Sequence, residues 1–450
     1  MSRRYHAHFT SRTRTVIGSV KSFLRGIFLA ERRNMQQMAE VQESVDRQSL
    51  QYLVSEAKWD HQAVQDQIAQ DADRLLGGFS DSMLLLDETA YGKKGKHSAG
   101  VARQWNGRLG KVDNCQVGVF AALCRGTVAA LVQSRLYLPD EWVKDGQRCK
   151  KAGIPVENCE LKSKSTLALE LVARTRQLGL RYAWVGADAG YGKEPRFLRS
   201  LADAGERFMV DVHRTQRGFL QDPKPSLPAA ESTKKRGRQP SRLVTHQPVL
   251  TVEGWAKSQP ASAWQEISVR HTTLGLLRVQ ALRTVFWLWD HEEPQARRWT
   301  LLVVRELENP SEISFSLTNA DESLATQLLV QVQRQRFWIE NAFGDAKSEI
   351  GLADYEVRTW TGWHRHMTLC MLAQLFTIEQ RFEESESIPM LSTRDVRTLL
   401  SCLLSGRRHL LERFCQTVAD RQRQRWKSIV SRYLKQGEDP VFLSVGSSTM

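Results

Sequence analysis

MLLLDET (83–89), NCQVGVFAALC (114–124) and TVAALVQSRLYL (127–138) are short apolar runs separated by Gly-, Lys- and Asn-containing turns. That pattern predicts three strands in succession. A helical stretch at 163–178 follows, then YAWVGADAGYG (182–192), a helix near 195–204 and RFMVDV (207–212). Strand, strand, strand, helix, strand, helix, strand predicts a mixed α/β sheet with helices on its faces.

Outward from this centre the character changes. Residues 1–40 hold eight basic and two acidic residues, with Val16, Val20, Phe23, Leu24, Ile27 and Phe28 at helical spacing. Further helices are expected before Gly77-Gly78, so residues 1–80 read as a basic helical DNA-binding region, with a plain helical bundle as the alternative. Residues 81–215 form the first part of the central domain. Between 216 and 310 a Pro-rich, then basic loop leads to alternating strand-like runs at 248–253, 264–271, 276–290 and 299–307, which predict an inserted antiparallel β domain. A long helix from Glu322 to Ile350 and another from Trp363 to Phe382 complete the central domain over 311–385. The region 386–450 is basic and helical, with eleven basic and five acidic residues from 391 onward.

The chain has 450 residues, long enough for several domains, and its 41% hydrophobic and 25% charged content excludes a mostly disordered or collagen-like protein. The longest apolar run, 117–124, is far short of the ~20 residues that cross a bilayer, so no membrane span is expected. A net charge of +14 favours a polyanionic partner, nucleic acid above all. Seven cysteines, odd in number and never in Cys-x-x-Cys, argue against a disulfide framework or zinc ribbon. Reduced thiols in a cytoplasm are expected. The Arg-rich N-terminus lacks the apolar stretch and cleavage site of a secretory signal and reads as part of the working protein.

Asp87 and Asp188 each stand where an apolar strand gives way to a Gly-containing loop, the place where open α/β sheets gather ligands. A turn-initiating Asp is the alternative for either. In RQRFWIENAFGDAKSEIGL (334–352), a helix advancing about 100° per residue puts Lys347 near −20°, Arg336 near −40° and Gln333 near +20° from Glu340, so the four share a face. Ile339, Ala342, Phe343, Ala346 and Ile350 fill the adjoining arc and predict the side packed on a sheet. Asp345 and Glu349 fall near +140° and 180° and are expected in solvent, by the same advance of about 100°. A surface ion-pair ladder is the alternative for Arg336, Glu340 and Lys347. Three carboxylates from two strand ends and a helix are a donor set for two divalent cations, which activate an attacking oxygen and stabilise a leaving one in phosphoryl transfer.

With these residues in place the chain resembles the DDE-type transposases of bacterial cut-and-paste insertion sequences, the group with a Tyr-(2)-Arg-(3)-Glu-(6)-Lys signature. The resemblance rests on DETAYGKKGKHSAGVARQWNGRLGKVDNCQVGVF (87–120), ADAGYGKEPRFL (187–198) and RFWIENAFGDAKSEIGLADYEVRTWTGWHRHMTL (336–369) and runs from about 20 to 380. The spacings, 188 − 87 = 101 and 340 − 188 = 152, leave room for a β insertion in the second interval.

The resemblance implies a ribonuclease-H-like mixed sheet and a metal-binding catalytic triad of Asp87, Asp188 and Glu340, with two Mg2+ ions for which Mn2+ substitutes. Arg336 and Lys347 fall at the signature's Arg and Lys and would contact the transposon end. Its Tyr position is Gln333, which keeps a hydrogen-bond donor but lacks the ring. It further implies cleavage at terminal inverted repeats through a hairpin, strand transfer into target DNA, a homodimer in the synaptic complex and a bacterial cytoplasmic, nucleoid-associated location. A catalytically silent DNA-binding relative and a nuclease without strand transfer are the rival readings.

Secondary DNA contacts are expected at Lys93, Lys94 and Lys96 and at the KKRGRQP loop (Lys234, Lys235, Arg236, Arg238), with a solvated loop as the alternative for each. The resemblance further implies that one of Trp287, Trp289 and Trp299 stacks on a flipped base, against core packing as the common fate of a Trp. His364 and His366 are about 200° apart on a helix and cannot chelate one ion from a single face, leaving packing or phosphate contact. Glu88, adjacent to Asp87, is expected to face the other side of the sheet.

Overall fold

The computed structural model describes residues 3–12, 14–107, 109–227, 242–383, 391–406 and 408–438. The chain divides into two compact units, Met1–Tyr182 with Phe337–Met450, and Ala183–Arg336. Mostly antiparallel strands flanked by helices make up a mixed α/β architecture.

The first unit holds β1 (Met83–Gly92), β2 (Ala102–Asn106), β3 (Lys111–Arg125) and β4 (Val128–Leu136). β3 is the centre: β1 pairs with it antiparallel from Met83↔Cys124 to Gly92↔Cys115, and β4 pairs antiparallel from Gly118↔Leu136 to Arg125↔Val128. Met83–Leu86 and Val117–Cys124 are buried, as strands covered on both faces require. β2 lies inside what the sequence reads as a loop. Its residues alternate Arg103 and Trp105 outward and too few are apolar to give a strand signal.

Helices α1 (Ile17–Leu29), α2 (Met35–Glu40), α3 (Arg47–Ser55) and α4 (His61–Leu76) belong to the same unit as that sheet. Val20, Phe23 and Ile27 bury the stripe expected of α1, and a Cβ on Gly26 would stand 2.8 Å from Met38 Cβ, so only glycine lets α2 approach there. Gln65 of α4 donates to Ser134 Oγ of β4 at 3.0 Å and to Thr368 Oγ1 at 2.9 Å. The N-terminal helices therefore share their core with the strands. α5 (Lys164–Gln177) begins with Ser163 accepting from Thr166 N at 3.0 Å.

In the second unit β5 (Trp184–Ala187) runs parallel to β6 (Phe208–Asp211), and α6 (Pro195–Asp203) joins them, burying Phe197, Leu198 and Leu201. Four further strands, β7 (Gln265–Thr272), β8 (Gly275–Leu288), β9 (Arg297–Glu306) and β10 (Ile313–Thr318), extend this sheet antiparallel in the order β6-β10-β9-β8-β7. The β-rich segment thus continues the sheet of β5 and β6. Its first expected strand, 248–253, is instead a two-residue strand, Leu250–Thr251, followed by a helix, Val252–Ser258, that Thr251 caps at Gly254 N. A short Ser/Thr-containing run before a Gly reads equally as strand or cap, and the cap prevails.

The long helix expected over 322–350 is interrupted. α7 (Thr326–Gln335) ends before Arg336, α8 (Trp338–Asp345) starts after Phe337, and Ala346–Ile350 is a π turn closed by Gly351 at φ 85°. α9 (Trp360–Glu383), α10 (Thr393–Leu404) and α11 (Arg408–Lys435) follow. Ser392 and Asp395 form a capping box on α10. Among the described residues no helix is long and apolar enough to cross a membrane.

Candidate functional site

Asp87 follows four buried residues on β1 and is itself half-buried, its Oδ1 accepting the Glu88 N–H at 2.7 Å. Strand alternation puts Thr89 and Tyr91 on its face, and directly paired antiparallel residues share a side, so Phe120, opposite Asp87, and Gly118, opposite Thr89, lie there too. α8 and α9 cover this face. Phe120 meets Phe343 edge-on at 5.4 Å and Trp363 at 6.2 Å. A Cβ on Gly118 would stand 2.7 Å from the Trp363 ring, so glycine there admits the indole. The opposite face carries Glu88, whose Oε1 meets Lys164 Nζ of α5 at 2.5 Å, as the alternation predicts.

The helix bearing Glu340 is fixed to the Asp87 strand by its signature lysine. Lys347 Nζ donates to Thr89 Oγ1 in a short hydrogen bond and lies 5.6 Å from the Tyr91 ring and 5.9 Å from the Phe343 ring. Because Glu340 precedes Lys347 by seven residues, nearly two turns, it shares that lysine's side of the helix. Its side chain is exposed, while Ile339, Ala342 and Phe343 bury the adjoining arc as expected. Asp87, Thr89, Glu340 and Lys347 thus belong to one compact unit and to facing surfaces of a strand and a helix.

Two residues beyond the apolar arc depart from expectation. Glu349 is buried, not solvent-facing: its carboxylate meets Arg397 Nη1 at 3.1 Å and Arg394 Nε at 3.6 Å, both from α10. Asp345 is half-buried and accepts from Thr393 Oγ1 at 2.6 Å. Helical phase places these groups away from the sheet, but α10 covers that side as well.

Asp188 stands in the second unit, at the end of β5. It caps the one-turn helix Ala189–Gly192, its Oδ1 accepting from Gly190 N at 2.9 Å and Tyr191 N at 3.4 Å. The Asp-Ala-Gly-Tyr-Gly sequence makes this turn possible. A Cβ on Gly190 would stand 2.9 Å from Asp188 Oδ1, and one on Gly192 would stand 1.9 Å from the Asp211 carbonyl oxygen. Asp211, which sequence reading passed over, ends β6 beside it, since Ala187 pairs with Val210. Asp188 and Asp211 both stand at the ends of their strands, whereas β1 runs on to Gly92, so Asp87 lies mid-strand and not where the strand gives way to a loop as the sequence suggests. Burial raises the Asp211 pKa and Arg336 opposes that rise.

Gln333 of α7 and Arg336 just beyond its end gather at Asp211. Arg336 Nε meets its Oδ2 at 2.8 Å, Ser316 donates to Oδ1 at 2.6 Å, and Gln333 Nε2 reaches Oδ1 at 3.5 Å. Gln333 is 5% exposed and its Oε1 has no hydrogen-bond partner among the described residues, so the residue at the Tyr position sits inside the second unit and not on its surface.

The peripheral candidates divide. Lys93 is half-buried over the Tyr355 ring at 3.5 Å and donates to Tyr355 O at 3.2 Å; burial brings its pKa down to about 8, so it packs inward, whereas Lys94 and Lys96 are exposed. Lys234, Lys235, Arg236 and Arg238 lie outside the described residues. Trp299 packs edge-on against Phe208 at 5.4 Å, and Trp289 is buried with Nε1 donating to Glu293 O at 2.9 Å; both are core residues, and Trp287 is half-buried. His364 and His366 are buried, accounting for them as packing.

The donor chemistry suits a hard cation: Asp87, Asp188 and Glu340 offer carboxylate oxygens, the ligands that Mg2+ takes, and each is at least partly exposed. Among the described residues no three His, Cys, Asp or Glu side chains are gathered closely enough to hold a metal ion.

Comparison with known proteins places the chain in a family. A probable transposase for insertion sequence element IS701 from Microchaete diplosiphon is 25% identical over 175 residues, which are 38% of this chain and 42% of the relative, so the match spans less than half of that protein's length. The NurA nuclease from Sulfolobus solfataricus is similar over 74% of this chain and 94% of its own, at 9% identity and a TM-score of 0.26, a likeness too slight to carry an argument. The DDE superfamily endonuclease family matches residues 4–275, a span that includes Asp87 and Asp188 and ends before Glu340. With more than half of its length matched, the chain belongs to the DDE superfamily endonucleases.

Proposed function

We propose that this chain is a DNA transposase that binds the ends of its own insertion sequence, cleaves them through a hairpin and joins the released 3′ ends to target DNA. The observation that carries the reading is the bond from Lys347 to Thr89, which lays the Glu340 helix on the strand of Asp87. Asp87, Asp188 and Glu340 would hold two Mg2+ ions, with Mn2+ as substitute, on a ribonuclease-H-like sheet. Bound there, the ions would supply activation of the attacking oxygen and charge neutralisation at the phosphate.

The protein's own residues would do the rest. Lys347, held beside Asp87 by Thr89, would place a positive charge near the scissile phosphate, and Arg336, oriented at its Nε by Asp211, would place a second. Lys94 and Lys96 would follow the backbone beyond the cut. Synapsis of two ends implies a homodimer, and a DNA substrate implies a nucleoid-associated protein of the bacterial cytoplasm.

Purified protein with Mg2+ or Mn2+ and linear DNA carrying the repeats that flank its gene tests the proposal on denaturing gels. Asp87→Ala, Asp188→Ala and Glu340→Ala each lose nicking by at least about a thousandfold, in line with removal of a group essential to charge stabilisation, while end binding stays within about threefold. Retained nicking in any of the three removes that residue from the triad. Binding by the unaltered protein without cleavage makes it a silent relative, and cleavage without joined products makes it a nuclease.

A further inference from the structure

β2 and the start of β3 form an antiparallel hairpin, Ala102↔Cys115 to Asn106↔Lys111, that turns through Gly107 and through Gly110 at φ 60°. Alternation places Arg103 and Trp105 on one face with Asn114 and Val112 opposite them. Trp105 is 57% exposed, Val112 51% and Leu109, at the tip, 49%. Trp is among the most buried side chains on average, and this is the most exposed indole among the described residues.

The same face continues into a concavity of about 730 Å³ whose wall includes Lys96, His97, Arg103, Asn114, Arg148 and Lys151. Its acids are engaged locally. Glu141 meets Arg148 Nη1 at 3.1 Å, and Asp145 accepts the Arg148 N–H at 2.9 Å as the cap of the helix Gly146–Lys151. Arg148 in turn donates to Lys96 O at 3.0 Å and fixes the loop that carries Lys96. Among the described residues Lys96, Arg103 and Lys151 form no ion pair, so the concavity presents a net positive wall beside an exposed aromatic blade.

An aromatic blade beside a cationic groove is the arrangement that holds single-stranded nucleic acid: cations follow the phosphates and the ring stacks on a base without regard to sequence. We infer that this hairpin face binds an unpaired DNA strand, with Lys96, Arg103 and Lys151 on the phosphates and Trp105 stacked on a base. The inference rests on the reading of DNA as the substrate. It adds an exposed stacking residue in the first unit to the candidates of the second, of which Trp289 and Trp299 are core.

Fluorescence anisotropy with the full-length protein and a labelled single strand of about 20 nucleotides, beside the blunt duplex of the same sequence, reads the effect. Trp105→Ala weakens single-strand binding about tenfold, Trp105→Phe restores most of it, and duplex binding changes less. Lys96→Ala, Arg103→Ala and Lys151→Ala combined flatten the dependence of log K on log salt by about 2 for the single strand, at roughly 0.7 per phosphate contact. Unchanged affinities in both variants, with thermal unfolding equal to the parent's, overturn the inference while leaving the proposed function standing. A parent protein that binds neither probe overturns both. A Trp105→Ala protein that binds DNA as the parent does but changes its oligomeric state makes the face a contact between copies of this chain, which also overturns the inference.

Discussion

Glu349 follows Glu340 by nine residues, yet the two carboxylates have opposite surroundings. Glu340 is exposed, and Glu349 is 7% exposed between Arg394 and Arg397, with Arg33 Nη2 donating to its backbone carbonyl at 3.3 Å. Glu349→Ala removes the charge that the half-buried Arg397 and the exposed Arg394 answer. The expected loss is roughly 2–3 kcal/mol, toward the low side for a buried pair because Arg394 is well exposed. Urea unfolding of the variant measures it; a midpoint equal to the parent's shows that solvent already serves the arginines. Helical phase sees only the residue's own helix, and what buries Glu349 is a helix more than forty residues further along the chain. The sequence singles out Asp87, Asp188 and Glu340 as candidates because each sits where a local pattern changes. Asp211, at the end of an apolar run, could have been found the same way, whereas its contacts with Arg336 and Ser316 could not, since no local pattern records them.

At the scale of elements the sequence shows most of the strands and little of the irregularity between them. Apolar runs mark β1, β3, β4, β6, β8 and β9 because buried strands leave dense hydrophobic signatures. β2 escapes because its outward residues are polar or aromatic and its inward ones few. The interruption at Arg336-Phe337 and the π turn at 346–350 escape because periodicity averages over a window, and a break of two residues shifts phase without erasing the pattern. α4 and α9 carry a further consequence. His61 opens α4 with its ring 4.8 Å from that of His364 on α9, and His366 lies a half-turn on; burial holds His61 and His366 at pKa values of about 4 and His364 well below the usual range. Folded neutral and unfolded near 6.5, these groups take up protons on unfolding, so stability is whole above about pH 6.5 and falls as the pH drops toward 4. Urea midpoints across that range should decline more steeply for the parent than for a His61→Phe, His366→Phe double variant; equal slopes place the acid sensitivity in the carboxylates.

For the molecule as a whole, a net charge of +14 announces an anionic partner without saying where it binds. The N-terminal helices, read from the sequence as a basic DNA-binding region or a plain helical bundle, share a compact unit with the first four strands and with residues from Phe337 onward. Composition separates segments by charge, but packing is decided by which apolar stripes meet, and those of α3 and α4 meet α9. α10 belongs to the same body. It supplies Arg394 and Arg397 to Glu349 and Thr393 to Asp345, at the end of the very helix that carries Glu340. A gene shortened to stop at residue 390, as one might design to discard a basic tail, would therefore strip the fastening from the Glu340 helix. Such a product should be cut by trypsin near Lys347 under conditions that leave the full chain whole, and biochemists trimming this protein for crystals would do better to keep α11 as well, because its Val418 packs on Leu391 and Val396 beside α10.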